Sequence, residues 1–264
     1  KEIAPNIKGC PALDQTSIDN LLKKIDGTPD KSRLGGNALL GVSMALAHAA
    51  SISENIPLYR YLAQGKPITL PVPMFNILNG GKHAENSTDI QEFMVVPVGS
   101  DTFRQAVQTG TEVYRALEDV LRDRGYDTRV GDEGGFAPSQ IKSNQEALEF
   151  MMIAITKAGY TPGRDCFIAL DVAANELVTK EGLYVLSKEK EILSSSALIE
   201  KYEKWAANYS ILSIEDGLNE NDWESWTLLT EQLGKKLQVV GDDLFTTNPH
   251  RIKRGLDIGA SNAV

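Results

Sequence analysis

Three apolar runs in this chain each close on a carboxylate, and that pattern limits the possible fold more than any other feature. The runs are Cys166-Phe167-Ile168-Ala169-Leu170-Asp171, Ile211-Leu212-Ser213-Ile214-Glu215 and Leu237-Gln238-Val239-Val240-Gly241-Asp242. Each has the length of a buried strand. Intervals of 44 and 27 residues separate the three acids, enough for a helix that returns the chain to start the next strand. A mainly parallel α/β sheet is therefore expected. In a parallel barrel the C-terminal strand ends converge on one face. Carboxylates gathered there repel one another unless a cation lies among them, and oxygen-only donors suit a hard ion such as Mg2+.

Composition narrows the function. The chain has 264 residues, 42% of them hydrophobic, so a sizeable core is available. Its net charge of −9 speaks against nucleic acid or an anionic membrane as the main partner. The longest apolar stretch, about residues 38–50, contains Gly41, Ser43 and His48 and falls short of the ~20 residues a membrane helix needs. It reads as a buried helix. Of two cysteines, Cys166 lies in an apolar strand and reads as a reduced core residue, so no disulfide framework is expected.

The first 65 residues read as helical. A helix is expected over 16–26, capped by Thr16 or Ser17, then a small-residue helix from Gly35-Gly36 to Ser53. The Gln64-Gly65-Lys66-Pro67 stretch marks a boundary. From residue 66 to 264, strands are expected at 72–78, 90–96, 128–133, 166–171, 211–215 and 237–242, with helices between most of them and a hairpin excursion around Glu181-Gly182. That makes six strands plus the start of a seventh, and the two consecutive opening strands differ from a standard barrel. Lys1 at the first position, and a strand only beginning at Ser261-Asn262-Ala263-Val264, read as an interior piece of a longer protein.

Several further motifs have both a plain and a chemical reading. Gly131-Asp132-Glu133-Gly134-Gly135-Phe136 is a turn, or a carboxylate held where a substrate meets the backbone. Asn79-Gly80-Gly81-Lys82-His83 is a solvated loop, or a glycine-hinged loop that brings His83 over a ligand. Glu92, inside the apolar stretch after Gln91, needs a partner; a structural salt bridge would serve. His48 reads as a core or interface residue and His250 as a surface residue at a helix start.

Taken in order, these motifs resemble enolase. The matching segments are Leu34-Gly35-Gly36-Asn37-Ala38, Pro71-Val72-Pro73-Met74-Phe75-Asn76, Asn79-Gly80-Gly81-Lys82-His83-Ala84, Gln91-Glu92-Phe93-Met94, Val130-Gly131-Asp132-Glu133-Gly134-Gly135-Phe136, Leu170-Asp171-Val172-Ala173, Ser213-Ile214-Glu215-Asp216 and Val240-Gly241-Asp242-Asp243. Gly217-Leu218 is similar to the bacterial form. The resemblance implies an incomplete enolase-type α/β barrel behind the helical part of an N-terminal α+β domain. It implies that Asp171, Glu215 and Asp242 hold the tighter of two Mg2+ ions, the second also needing residues outside this chain. Glu133 becomes the general acid, assisted by Glu92, and His83 a catalytic and substrate-binding group on a closing loop. Gln91, Glu92, Glu215 and Asp242 would also line the substrate pocket. The substrate becomes 2-phosphoglycerate and the product phosphoenolpyruvate.

By the same resemblance the proton-abstracting lysine and the phosphate site lie beyond Val264, so the 264 residues alone are expected to be inactive. The parent is expected to be a cytoplasmic glycolytic homodimer or higher oligomer, with a secondary place on the cell surface. Two other readings stand beside it: a superfamily relative acting on a different carboxylate, and a non-catalytic surface-binding protein.

Overall fold

Strand and helix residues alternate from Phe75 onward in a computed structural model that describes every residue except Glu85, and His83 by its backbone only. The chain divides into two units, Lys1–Leu70 and Pro71–Val264.

The first unit is four helices: α1 (Ile3–Ile7), α2 (Gln15–Asp26), α3 (Gly36–Ser53) and α4 (Leu58–Ala63). Ile18 and Leu22 of α2 bury against Leu39 of α3. The α2 cap differs from expectation. Asp14, not Thr16 or Ser17, accepts the Ser17 N–H at 3.1 Å, because a carboxylate one residue outside the helix reaches a first-turn donor. His48 is exposed on α3, so the core reading of it does not hold.

The second unit contains β1 (Phe75–Asn79), β2 (Glu92–Val96), α5 (Phe103–Asp123), α6 (Asn144–Lys157), β3 (Phe167–Asp171), β4 (Tyr184–Leu186), β5 (Glu191–Leu193), α7 (Ser195–Asn208), β6 (Ile211–Glu215), α8 (Trp223–Leu233), β7 (Gln238–Val240) and α9 (Pro249–Ile258). Five strands form one sheet in the order β1-β2-β3-β6-β7. β2 runs antiparallel to both β1 and β3, whereas β3, β6 and β7 are parallel. The sheet does not close, and it forms an incomplete barrel, as the sequence implies.

Alternation along the strands sorts the side chains onto two faces. Phe93 and Val95 of β2, with Ile168 and Leu170 of β3, enter a large core that includes α5 to α8 residues such as Leu117, Phe150, Tyr202 and Trp226. Met94, Val96 and Ala169 point the other way and form a small separate cluster with Leu212. Cys166 is fully buried and free, and burial pushes its thiol up to about 12, which keeps it an unreactive core residue.

Two strand expectations are revised. Residues 128–133 make only an isolated bridge, Val130 with Phe136. Their backbone groups are used locally: Gly131 N–H donates to Gly135 O at 2.8 Å and Ala137 N–H to Arg129 O at 2.7 Å. The chain does turn back at Glu181-Gly182, where Val178 bridges Tyr184 and Thr179 N–H donates to Leu183 O at 2.8 Å, but the regular ladder lies between β4 and β5. At the far end Val240 bridges Ala263 in parallel, so the start of a further strand does pair with β7.

Candidate active site

Pairing register puts four chemically distinctive residues in one rank across the sheet. Asn79 lies opposite Glu92, Glu92 opposite Asp171, and Asp171 opposite Glu215. Neighbouring strands stand about 4.8 Å apart, so the backbones that carry these three acids follow one another at that spacing. Asp171 and Glu215 arrive there because their strands stay in the core up to the residue before them. Asp171 and Glu215 end strands, whereas Glu92 begins one; reversing β2 brings its first residue to the same edge.

The crowding shows in the acidities. Burial first, and then the charge of Asp216, push Asp171 up to about 7, against a lowering by the Ala173 N–H. Glu215 is also pushed up to about 7, by burial and then by Asp171 and Asp216. Glu92 is held far above the ordinary carboxylate range. Burial is the main cause, followed by its hydrogen bond to Glu133 and the charges of Glu133, Asp171 and Glu215. Glu92 thus meets a second carboxyl where the sequence suggested a salt bridge.

Glu133 reaches this place from the Gly131–Phe136 turn. Phe136 N–H donates to Ile77 O at 2.9 Å and Asn79 N–H to Phe136 O at 2.8 Å, which fastens the turn alongside β1. Asn76 Nδ2 donates to Glu133 Oε2 at 3.1 Å. Gln91 Nε2 donates to Asp171 Oδ2 at 3.1 Å, so the residue before Glu92 also faces the rank.

Two groups of three carboxylates have oxygens within 4.8 Å of one another among the described residues: Asp171 with Glu215 and Asp216, and Asp216 with Asp242 and Asp243. Asp171, Glu215 and Asp242 therefore do not stand as one closed trio; Asp216 joins Asp242 to the other two. Asp216 is 4% exposed, and burial above all raises it to about 6. Its carboxylate accepts the N–H of Asp243 at 2.8 Å, of Asp242 at 3.1 Å and of Leu244 at 3.5 Å. Asp216 has a φ of +43°, a conformation that Asp tolerates better than most residues. The left-handed turn carries its side chain sideways under the loop after β7. Sequence reasoning quoted Asp216 without giving it a role. The available signal was the doubled acid Glu215-Asp216 after an apolar strand, since two adjacent acids cannot both point along the same direction.

These donors suit a cation. They are all oxygen, each group of three sits within one ion's reach, and burial together with neighbouring charges raises the pKa of Asp171, Glu215 and Asp216, a penalty that a positive charge would relieve. The His83 side chain lies outside the described residues; its backbone ends a 3-10 turn, Gly81–His83. His250 is exposed in the first turn of α9, as expected.

No helix among the described residues is long and apolar enough to cross a membrane. Residues 67–264 match the family model described as the enolase C-terminal TIM barrel domain, and residues 1–62 match the one described as the enolase N-terminal domain.

Proposed function

The chain belongs to the enolase family, and from that premise we propose that the protein it comes from dehydrates 2-phosphoglycerate to phosphoenolpyruvate with Mg2+. The observation that carries the reading is the rank Glu92, Asp171, Glu215 with Glu133 hydrogen-bonded to its first member.

Removing the C2 proton places further negative charge on a molecule that already bears a carboxylate, and expelling the C3 hydroxyl requires a proton at that oxygen. Asp171, Glu215 and Asp242 would hold the divalent ion, with Asp216 joining Asp242 to the other two. When bound, it supplies positive charge against the substrate carboxylate and the dianion derived from it. Asp216 acts on the same group from behind: its carboxylate fixes the backbone that presents Asp242. Gln91 orients Asp171 through its amide. Glu133 delivers to the departing hydroxyl a proton it receives from Glu92, which burial and the charge of Glu133 keep protonated until it is needed. The base is a lysine outside residues 1–264. His83 belongs to the glycine-hinged turn that covers the substrate. The same reading makes the protein a cytoplasmic glycolytic enzyme and a homodimer.

The test is an assay of the intact protein for magnesium-dependent formation of phosphoenolpyruvate, with mandelate-like acids as competing substrates. Turnover of those acids and not of 2-phosphoglycerate would replace this reading with the superfamily alternative.

A second expected result concerns Asp216. Asp216→Asn puts an amide NH2 where one of the Asp242 and Asp243 N–H groups now finds an acceptor. Misaligning a group that holds a metal ligand typically weakens binding by about 10–100-fold. Calorimetric titration with Mg2+ should show a loss of that size with the site still present. An unchanged affinity would remove Asp216 from the role given to it.

A further inference from the structure

We propose that Asn79 is a positioning residue that sets the approach of Glu133 to Glu92, and so controls loss of the hydroxyl without controlling removal of the C2 proton. The inference rests on the functional reading above and deepens it.

Asn79 is the last residue of β1 and is fully buried. Its side-chain amide touches both segments that carry the paired carboxyls. Oδ1 accepts the N–H of Gly135 at 2.8 Å, two residues beyond Glu133. Nδ2 donates to the carbonyl of Gln91 at 3.3 Å, one residue before Glu92. That carbonyl also accepts the Gly80 N–H at 2.9 Å, which fixes its direction. The Glu133 turn can press this closely only because residue 135 is glycine: a Cβ there would lie 2.5 Å from Asn79 Oδ1 and 2.9 Å from the Leu78 nitrogen. Glu92 and Glu133 are 41 residues apart in sequence, and the Asn79 amide is a direct link between the backbones that carry them.

The chemistry of the position calls for asparagine. One planar group must offer an acceptor on one side and a donor on the other. Aspartate keeps the acceptor for Gly135 but sets an oxygen against the Gln91 carbonyl. Alanine leaves the buried Gly135 N–H without its acceptor and takes one of two donors from the Gln91 carbonyl, which keeps the Gly80 N–H, and frees the turn to settle elsewhere. Displacement of a catalytic group by about 1 Å can cost about 100-fold in rate.

The reaction has two separable events. First the C2 proton goes to the base. Then the C3–O bond breaks, its electron pair leaves with oxygen, Glu133 supplies the proton that makes water, and C2 and C3 become doubly bonded. In deuterated buffer the first event alone exchanges the C2 hydrogen for deuterium. We expect Asn79→Ala in the intact, magnesium-loaded protein to form phosphoenolpyruvate about 100-fold more slowly. KM should stay within about threefold, and C2 exchange should continue near the parent rate. Loss of exchange and product in equal measure would make Asn79 a general structural residue and overturn the inference, as would no loss of either. If the unsubstituted protein shows neither exchange nor product, the functional reading fails instead. Circular dichroism checks folding. Should Asn79→Ala not fold, Asn79→Asp, which retains the Gly135 contact, must show the same split between exchange and elimination, and equal losses in it overturn the inference.

Discussion

In ion-free buffer at pH 8, Asp171→Asn protein should melt at a higher temperature than its parent, although it can no longer hold Mg2+ tightly. The opposite signs come from one cause. Asp171 is raised from 3.8 to about 7 by burial and by the neighbouring charge of Asp216. An unfolded chain holds the same group near its ordinary value of about 3.9. The folded state therefore binds the extra proton between those two values. Stability from this group is complete below pH about 4, declines as pH rises towards 7, and stays low above it. At 1.36 kcal/mol per unit, the ionised group destabilises the ion-free fold by about 4 kcal/mol at most. Asparagine removes that penalty but keeps only one of the two acceptors now used by the Ala173 N–H at 3.1 Å and by Gln91 Nε2 at 3.1 Å. A net gain of about 2 kcal/mol remains, which for a unit of this size raises the melting temperature by about 4–8 °C. At pH 4.5 the parent carboxyl is already mostly protonated, and the advantage of the variant should disappear. Saturating Mg2+ should reverse the order at pH 8: at 100 times its Kd the ion stabilises the parent by about 2.7 kcal/mol and leaves the variant behind. Thermal melts in chelator and in Mg2+, at both pH values, decide the matter. A variant less stable than its parent in chelator at both pH values would make Asp171 a structural acid.

The sequence made the acids and the strands visible for a physical reason. A strand buried on both faces is mostly apolar, so Phe167–Leu170 and Ile211–Ile214, the latter interrupted only by Ser213, stand out, and an acid at the end of such a run marks the place where the chain leaves the core. It did not show which way β2 runs. Antiparallel pairing with β3 is what carries Glu92 to Asp171, and no local residue pattern records it. Residues 128–133 have the composition of a strand, but glycines on both sides of Asp132-Glu133 let the backbone bond to itself, and the turn that results is what brings Glu133 beside Asn76 and Glu92. Asp216 was legible as an acid and illegible as a support, because its role depends on a positive φ and on three N–H groups from a loop 26–28 residues later. Asn79 looked like the start of a glycine loop, since the hydrogen bonds of a buried amide leave no trace in spacing. The enolase resemblance identified Glu92 and Glu133 together, while their mutual hydrogen bond belongs to the folded chain.

Glu133→Gln should lower the rate of phosphoenolpyruvate formation by about 10²–10⁴-fold, the usual contribution of a positioned general acid, while KM changes little. Glutamine preserves the length of the side chain and an oxygen that can accept from Asn76 Nδ2, a contact now 3.1 Å long, so the turn should hold its place and only the transferable proton is lost. The substitution also acts on Glu92. Of the causes that raise Glu92, burial stays, while the hydrogen bond to a carboxylate and the charge of Glu133 both go. Glu92 should therefore titrate lower than in the parent and yet remain above an ordinary glutamate, a change that carboxyl carbon NMR with labelled glutamate can follow. A neutral residue at 133 thus removes one proton donor and weakens the hold of Glu92 on its own proton, so Glu92 does not take over the role. If instead the variant kept a tenth or more of the parental rate, or if Glu92 did not move, the two carboxyls would be independent groups, and the proton that makes water would have to come from elsewhere at this site.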